Sequence, residues 1–117
     1  MPSWSIDYYV TPSNRIPVKN FIDSLSFKSQ VKVYNTLELL AEFGLRLGLP
    51  HAKKVTGTRL WELRVLGEKS LRFFYLAKAG KFFLFLHGFV KKSPKIPKKE
   101  IKTALGRLRS LRIDKKS

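Results

Sequence analysis

Residues 60–89 contain three short segments rich in apolar and aromatic residues, separated by tight turns. This pattern predicts an antiparallel meander, because connections of two or three residues join strands that run in opposite directions. The predicted strands are Leu60–Leu66, Ser70–Ala77 and Lys81–Phe89, with turns at Gly67-Glu68 and Ala79-Gly80. The rest of the chain must therefore fold around a small sheet.

The residues before the meander predict one more strand and two helices. Residues 4–10 are rich in β-formers, which indicates a first strand. Pro17 suits the first position of a short helix, because the N–H that proline lacks has no partner there. A longer helix follows, capped by Ser26 or Ser29 and ending near Gly44.

The remaining segments complete an α+β domain. Residues 49–59 predict a basic loop, and Pro97 opens a last helix. We expect the helices to pack on one face of an antiparallel sheet of about four strands. Residues 1–113 then form a single domain, and residues 114–117 form a frayed basic tail.

Composition excludes several classes of protein. A chain of 117 residues without cysteine has no disulfide and no thiolate metal site, and a reducing cytoplasm is its natural compartment. No apolar run reaches the roughly 18 residues that span a bilayer, and the N-terminus lacks signal-peptide architecture. With two histidines, eight scattered acids and no nucleotide-binding glycine motif, the sequence predicts no metal and no cofactor.

The charge is large and unevenly distributed. Lysine and arginine number 24 against 8 acidic residues, for a net charge of +16. Residues 1–50 carry five basic and four acidic groups, whereas residues 91–117 carry eleven basic and two acidic groups. Such asymmetry indicates a polyanionic partner, with nucleic acid first, an acidic protein second and an anionic membrane third. The alternative is a solvated surface that serves only solubility.

Strand parity identifies the candidate site residues. Glu62 and Arg64 point away from the apolar residues of their strand, and Arg72 is opposite in parity to the aromatic residues that follow it. In the last strand His87 alternates with Leu86. Arg64, Arg72 and His87 therefore meet on one face of the sheet if the strand registers align.

Each candidate also has a purely structural interpretation. Arg64 can simply pair with Glu62, and a lone histidine at a strand end is more often a hydrogen-bonded structural residue. Tyr75 is as consistent with the core as with a site. The lysines that directly precede and follow the sheet are ordinary exposed residues or phosphate ligands: Lys53, Lys54, Lys91 and Lys92.

The chain resembles the HigB-type, phage-derived branch of the RelE/ParE toxin superfamily. The resemblance rests on Leu60-Trp-Glu-Leu-Arg64, Arg72-Phe-Phe-Tyr75, His87-Gly-Phe-Val-Lys-Lys92 and the helix opening Pro97-Lys-Lys-Glu-Ile101. It implies a RelE/ParE-like fold, with an N-terminal strand and a helical hairpin packed on the sheet and a C-terminal helix. It further implies a toxin held inactive by a cognate antitoxin, a small helix-turn-helix protein.

Two departures from the family pattern affect the site. Family members tend to have threonine or serine before the helix-opening proline, whereas this chain has Ile96, and the lost side-chain cap costs about 1 kcal/mol. Some relatives carry a C-terminal tyrosine that stacks or acts in catalysis. The tyrosines of this chain are Tyr8, Tyr9, Tyr34 and Tyr75, so its last helix has none.

The resemblance implies a metal-free endoribonuclease that cuts mRNA on the ribosome with the RNA 2′-hydroxyl as nucleophile. Arg64 and Arg72 are then assigned to the scissile phosphate, with Lys92 beside them and His87 as proton carrier. Lys53, Lys54 and Lys91 contact RNA phosphates, and Phe89 or Tyr75 stacks on a base. The cations of the last helix grip ribosomal RNA: Lys98, Lys99, Lys102, Arg107, Arg109 and Arg112.

Three alternatives remain open on the sequence. Related ParE-like toxins poison DNA gyrase on a similar fold and need no catalytic group. A basic module that only binds nucleic acid accounts for the charge without cleavage. A degenerate toxin, folded and antitoxin-bound but inactive, is consistent with the missing C-terminal tyrosine.

Overall fold

A computed structural model of the protein describes the backbone of residues 3–67 and 70–116 and the side chains as far as Leu111. In chain order the elements are β1 (Ser5–Tyr8), α1 (Pro17–Asp23), α2 (Phe27–Phe43), a 3-10 turn (Gly44–Arg46), β2 (Ala52–Lys54), β3 (Trp61–Val65), β4 (Leu71–Lys78), β5 (Phe82–Val90) and α3 (Lys98–Lys116). The predicted α+β class is confirmed. The domain boundary at residue 113 stays a prediction, because the side chains of residues 112–116 and all of Ser117 lie outside the described part.

Five strands form one sheet in the order β1-β5-β4-β3-β2. Strands β3, β4 and β5 are the predicted antiparallel meander, and β1 adds to β5 in parallel. The sheet is therefore mixed and has five strands, where the sequence predicted about four antiparallel ones. The extra strand, β2, lies inside the predicted basic loop. Three residues that include two lysines carry no apolar alternation, so only their pairing with β3 reveals the strand.

Helices cover both faces of the sheet. Helices α1 and α2 pack on one face, here called the hairpin face, where Phe73 and Phe85 are fully buried. Helix α3 packs on the other, the α3 face, where Phe74 and Leu86 are fully buried. The prediction that all helices share one face is wrong. Apolar residues on both faces of β4 and β5 give continuous runs without the alternation of a half-exposed sheet.

Capping residues set the helix boundaries close to the predicted ones. Pro17 opens α1, and the Oγ atom of Ser26 accepts a hydrogen bond from the backbone of Ser29 at 3.2 Å. Ser26 is therefore the cap of α2, which satisfies a backbone N–H that has no partner within the helix. Helix α2 ends at Gly44, whose φ of +59° favours glycine.

Helix α3 begins directly after Pro97, as predicted, and packs through Ala104, which is fully buried. Ile96 packs against the same apolar cluster. Ile96, which has no side-chain oxygen to cap the helix, thus contributes apolar contacts to the α3 face instead. The segment between β5 and α3, residues 91–97, is thereby held beside the open part of that face.

Candidate phosphate-binding site

Two rows of side chains cross the α3 face of the sheet. In the first row Lys53, Glu62, Phe74 and His87 are successive cross-strand partners on β2, β3, β4 and β5. In the second row Arg64, Arg72 and Phe89 are partners on β3, β4 and β5. Directly opposed residues lie about 5 Å apart and diagonal ones about 7–8 Å apart. Arg64, Arg72 and His87 therefore lie on one face of the sheet, as predicted, but His87 is in the other row and two strands away from Arg64.

Glu62 holds both arginines of the second row. Its carboxylate is 2% exposed, and its Oε1 atom accepts a hydrogen bond from Nε of Arg64 at 2.9 Å. The Nε atom of Arg72 lies 4.0 Å from Oε2 of the same carboxylate. The predicted pairing of Arg64 with Glu62 is confirmed, and two guanidinium groups share one buried carboxylate. One positive charge remains uncompensated within this cluster.

Arg72 is positioned but not saturated with hydrogen bonds. Its Nη1 atom donates to the carbonyl of Leu71 at 3.1 Å, whereas its buried Nε has no hydrogen-bond partner among the described residues. The Oε2 atom of Glu62 is also buried, and it accepts no hydrogen bond from the described residues. Burial lowers the pKa of Arg72, Glu62 raises it and Arg64 lowers it further. These two buried atoms, Nε and Oε2, face each other at 4.0 Å, so the ion pair between Arg72 and Glu62 lacks the hydrogen bond that a shorter contact would make.

The arginines open onto two neighbouring cavities that together form what we call the basic groove. A cavity of about 360 Å³ is lined by Glu62 and Arg64, and one of about 290 Å³ is lined by Arg72. Lys91 lines both cavities. The other lysines that border one or the other are Lys53, Lys54, Lys92 and Lys95. Glu62 is the one acidic residue among the described residues that line this groove, which therefore favours a polyanion.

The pairing of β2 with β3 places the two lysines of β2 on opposite faces of the sheet. Lys53 is the partner of Glu62 and lies on the α3 face, beside the groove. Lys54 is the partner of Trp61, and its ammonium group lies 5.9 Å from the centre of that ring and donates to the carbonyl of Thr58 at 2.5 Å. Lys53 is therefore the better phosphate ligand of the two.

His87 is bonded through both ring nitrogens. Its Nε2 atom lies 2.8 Å from Oε1 of Glu100, and its Nδ1 atom lies 3.2 Å from Nη1 of Arg107. A guanidinium group only donates hydrogen bonds, so Nδ1 accepts and the ring proton is on Nε2, where it is donated to Glu100. Burial lowers the pKa of His87, Glu100 raises it, and Arg107 lowers it. The neutral ring is thus the form that this geometry favours.

A fall in stability with acidification is expected from this ring. The folded-state pKa of His87 lies below its ordinary value of 6.5, so the unfolded chain takes up the proton first as the pH falls. The free energy of unfolding should decrease as the pH is lowered from about 6.5 towards the folded-state pKa. Urea unfolding between pH 7.5 and 5.5 measures this decrease. His51→Gln should retain it and His87→Gln should lose it, and an equal slope in both variants would contradict the assignment.

A β-bulge directs His87 to this face. The register between β4 and β5 shifts so that Phe74 pairs with His87 and Tyr75 pairs with Phe85, which leaves Leu86 unpaired. Leu86 is fully buried against α3, and strict alternation would then have placed His87 on the hairpin face. The extra residue returns His87 to the α3 face, beside its partner Phe74.

Two other predicted contacts differ in the folded protein. Tyr75 is 2% exposed on the hairpin face, stacked on Phe85 at 5.0 Å, so its assignment to base stacking is wrong. Burial also raises its pKa. Phe89 is 4% exposed, with its ring between His87 and Phe74, and it supports His87 rather than offering a free face to a base.

The cations of α3 divide into two groups. Lys98, Lys99 and Lys102 are exposed, as a surface that contacts RNA requires. The guanidinium group of Arg107 is not free to contact RNA. Its Nη1 atom donates to the carbonyl of Leu86 at 2.7 Å, and the group lies 5.9 Å from the ring of Tyr9. The prediction that Arg107 grips RNA is therefore wrong. The predicted contact of Arg112 lies outside the described side chains.

Sequence reasoning missed two residues of the site. Lys95 lines the groove, but it lies in a segment whose sequence indicates only a polar linker. Glu100 was seen as part of a motif, not as a partner of His87. Glu100 and Arg107 are seven residues apart, which places them on one side of a helix, and this spacing is the signal that pointed to a shared partner.

A protein-family model, Phage derived protein Gp49-like (DUF891), matches residues 20–109. The chain belongs to this family. The Gp49-like family is toxin-like and of RelE/ParE type, so the resemblance seen in the sequence is confirmed at that level. The match covers the end of α1, all of α2 and all of the groove, and it extends into α3. A search of curated proteins found no match.

Two further observations describe the Gp49-like chain as a whole. No helix within residues 3–67 and 70–116 is long and apolar enough to cross a membrane. Within the same residues no three metal-ligating side chains converge. The groove is thus characterised by its cations and by the single carboxylate that holds two of them.

Proposed function

We propose that this protein is the toxin of a toxin–antitoxin pair of the HigB type and that it is a ribosome-dependent endoribonuclease that cleaves mRNA. The observation that carries the proposal is the pair of guanidinium groups held on buried Glu62 at the wall of a lysine-lined groove. Two preorganised arginines in a partly dry site are suited to a phosphate whose charge increases during the reaction.

In the proposed reaction the 2′-oxygen of a ribose attacks the adjacent phosphorus and the 5′-oxygen of the next nucleotide leaves. The products are a 2′,3′-cyclic phosphate and a 5′-hydroxyl. Arg64 and Arg72 bind the non-bridging oxygens and stabilise the additional negative charge of the phosphorane. Glu62 holds both groups in place before the substrate arrives, so little reorganisation is needed during the reaction.

Lysines supply the remaining contacts of this scheme. Lys91 borders the cavities of both arginines, so we assign it as an ammonium donor to a phosphate bound in either. Lys92 lies between the Arg72 cavity and the cavity that contains His87. We assign protonation of the leaving 5′-oxygen to one of these lysines, while the attacking 2′-hydroxyl loses its proton to solvent water, which balances the protons of the reaction. His87 is the alternative proton carrier, and its use requires that Glu100 or Arg107 release a ring nitrogen.

The exposed cations of α3 extend the basic surface beyond the groove. Lys98, Lys99 and Lys102 are proposed to hold ribosomal RNA without sequence preference, with an affinity that falls steeply as salt increases. The toxin-like family supports a cognate antitoxin as partner. The proposal includes a small helix-turn-helix protein in that role.

Primer extension on mRNA tests the proposal. After induction of the protein, we expect cleavage products within translated regions, and we expect their loss when initiation of translation is blocked. Naked RNA incubated with the purified protein should remain intact until ribosomes are added. Growth arrest with intact mRNA and induced DNA-damage signalling would instead favour a gyrase inhibitor on this fold.

A further inference from the structure

A third cavity, of about 540 Å³, lies between the end of β5 and the beginning of α3. Strand β1 pairs with β5 only as far as Phe85, so the edge of β5 from Gly88 to Val90 has no strand beside it among the described residues. Phe21 of α1 approaches this edge from the hairpin side, and a Cβ atom on Gly88 would lie 2.7 Å from its ring. The cavity is thus bounded by both helical layers.

The walls of this cavity have two distinct characters. Apolar surface comes mainly from Phe21, Val90 and Pro97, since Phe89 is nearly buried against His87, and polar atoms come from His87 and Glu100. Lys92 and Lys99 border it. An apolar wall beside a few hydrogen-bonding groups and flanking cations is suited to a nucleobase with its phosphate.

The same cavity is contiguous with the basic groove. Lys92 and Ser93 line both this cavity and the one that contains Arg72. A phosphate on the arginines and a base in the cavity are therefore joined by two consecutive residues of one segment. One nucleotide and its phosphate can occupy the two sites together.

We propose that this cavity is a nucleobase subsite in which Glu100 selects guanine. This proposal rests on the proposed function only in placing the subsite beside the phosphate that is cleaved. Binding of the base itself requires no cleavage. Oε1 of Glu100 accepts the Nε2–H of His87 at 2.8 Å, and the hydrogen bonds of the described residues leave Oε2 without a donor. The carboxylate therefore presents acceptors alone to the cavity.

Guanine is the base whose edge matches this carboxylate. Its N1–H and N2–H groups are two adjacent donors, and both can reach one carboxylate. Adenine and cytosine each place a ring acceptor beside their amino donor, and uracil places its N3–H between two carbonyl oxygens. Each of these three bases turns at least one acceptor towards the negative charge, which disfavours binding.

His87 and Arg107 serve this subsite as positioning residues. Arg107 donates to Nδ1 of His87, which keeps the proton on Nε2, and that proton holds one oxygen of Glu100. The stacking of Phe89 against His87, with ring centres 5.6 Å apart and planes 18° apart, limits rotation of the imidazole. Glu100 is therefore held before a base enters.

Binding of free nucleotides to the purified protein tests the subsite. In an NMR titration followed at the amide of Gly88, 5′-GMP should bind about tenfold more tightly than 5′-AMP, 5′-CMP or 5′-UMP, since a bidentate base contact discriminates by at least that order. If the wild type bound the four nucleotides with equal affinity, that result alone would overturn the proposal.

Glu100→Gln supplies the sharper comparison. The amide oxygen of glutamine still accepts from Nε2 of His87, whereas its NH₂ group replaces the free acceptor with a donor. The preference for 5′-GMP over 5′-AMP should fall from about tenfold to about onefold or reverse. Glu42→Gln, the same change on the exposed surface of α2, should retain the tenfold ratio. Retention of the ratio in Glu100→Gln would overturn the role of Glu100.

The two proposals fail separately. A wild type that cleaves mRNA but binds all four nucleotides equally would overturn the guanine subsite and leave the nuclease intact. A wild type that prefers 5′-GMP but leaves mRNA intact would support the subsite and overturn the nuclease.

Discussion

Replacement of Arg72 by alanine is expected to reduce mRNA cleavage by about 10²- to 10³-fold and to relieve growth arrest. The expected loss corresponds to removing one preorganised cationic donor from the charge that builds up on the phosphorane. Arg72 is the better residue for this test than Arg64. Removal of Arg72 leaves Glu62 paired through the 2.9 Å hydrogen bond to Arg64, so the fold should persist. Primer extension after induction measures the cleavage, and colony counts measure the arrest.

A matched variant distinguishes an effect of the site from an effect of the overall charge. Arg46→Ala removes an exposed arginine from the 3-10 turn after α2, away from the residues that line the groove, and should remain as toxic as the wild type. Thermal unfolding of Arg72→Ala should be close to that of the wild type. The site assignment fails if Arg72→Ala, Arg64→Ala and Lys92→Ala all cleave mRNA at the wild-type rate.

Replacement of Glu62 by alanine should have the largest effect on stability, about 3–5 kcal/mol. The carboxylate is 2% exposed and is the shared anion of two guanidinium groups, which the mutation leaves partly buried without a counter-charge. Domains are stable by only about 5–15 kcal/mol, so much of this variant should be unfolded or close to it. Urea unfolding at pH 7 of the wild type and the variant measures the difference.

Two further variants define the cause of that loss. Glu38→Ala removes an exposed carboxylate from α2 and should change the free energy of unfolding by less than about 0.5 kcal/mol. Glu62→Gln keeps the shape and an acceptor oxygen for Arg64 but removes the charge, so its loss should lie between those of the two alanine variants. If Glu62→Ala unfolds at the urea concentration of the wild type, the carboxylate does not hold the arginines in the way described.

The parts of the site that local sequence predicts are those that depend on parity within a strand. Glu62 and Arg64 are two residues apart in β3, so they share a face whatever the rest of the chain does. Short turns impose the antiparallel order of β3, β4 and β5. The helix boundaries also follow from local signals, such as Pro17 and Ser26. These features depend on neighbours in the chain, and each was recognisable before the fold was known.

The choice between Lys53 and Lys54 shows what local signals cannot supply. Both lysines precede the meander and look equivalent in sequence. Pairing with β3 places Lys53 opposite Glu62 and Lys54 opposite Trp61, so only the first shares a face of the sheet with Glu62, although both border the groove. A shift of one residue would exchange them, because side chains alternate faces at every position. Register between distant segments therefore decides which lysine lies on the same face as Glu62 and the two arginines.

The amino-acid sequence by itself determined the strand order of the meander, the excess of cations in the C-terminal half and the shared face of Glu62 and Arg64. Tertiary structure alone decided that α3 covers the opposite face from α1 and α2, and that a bulge at Leu86 turns His87 towards Glu100. The physical reason is that β4 and β5 are apolar on both faces. Such strands carry no alternation that tells which helix packs where, and contacts between residues far apart in the chain make that choice.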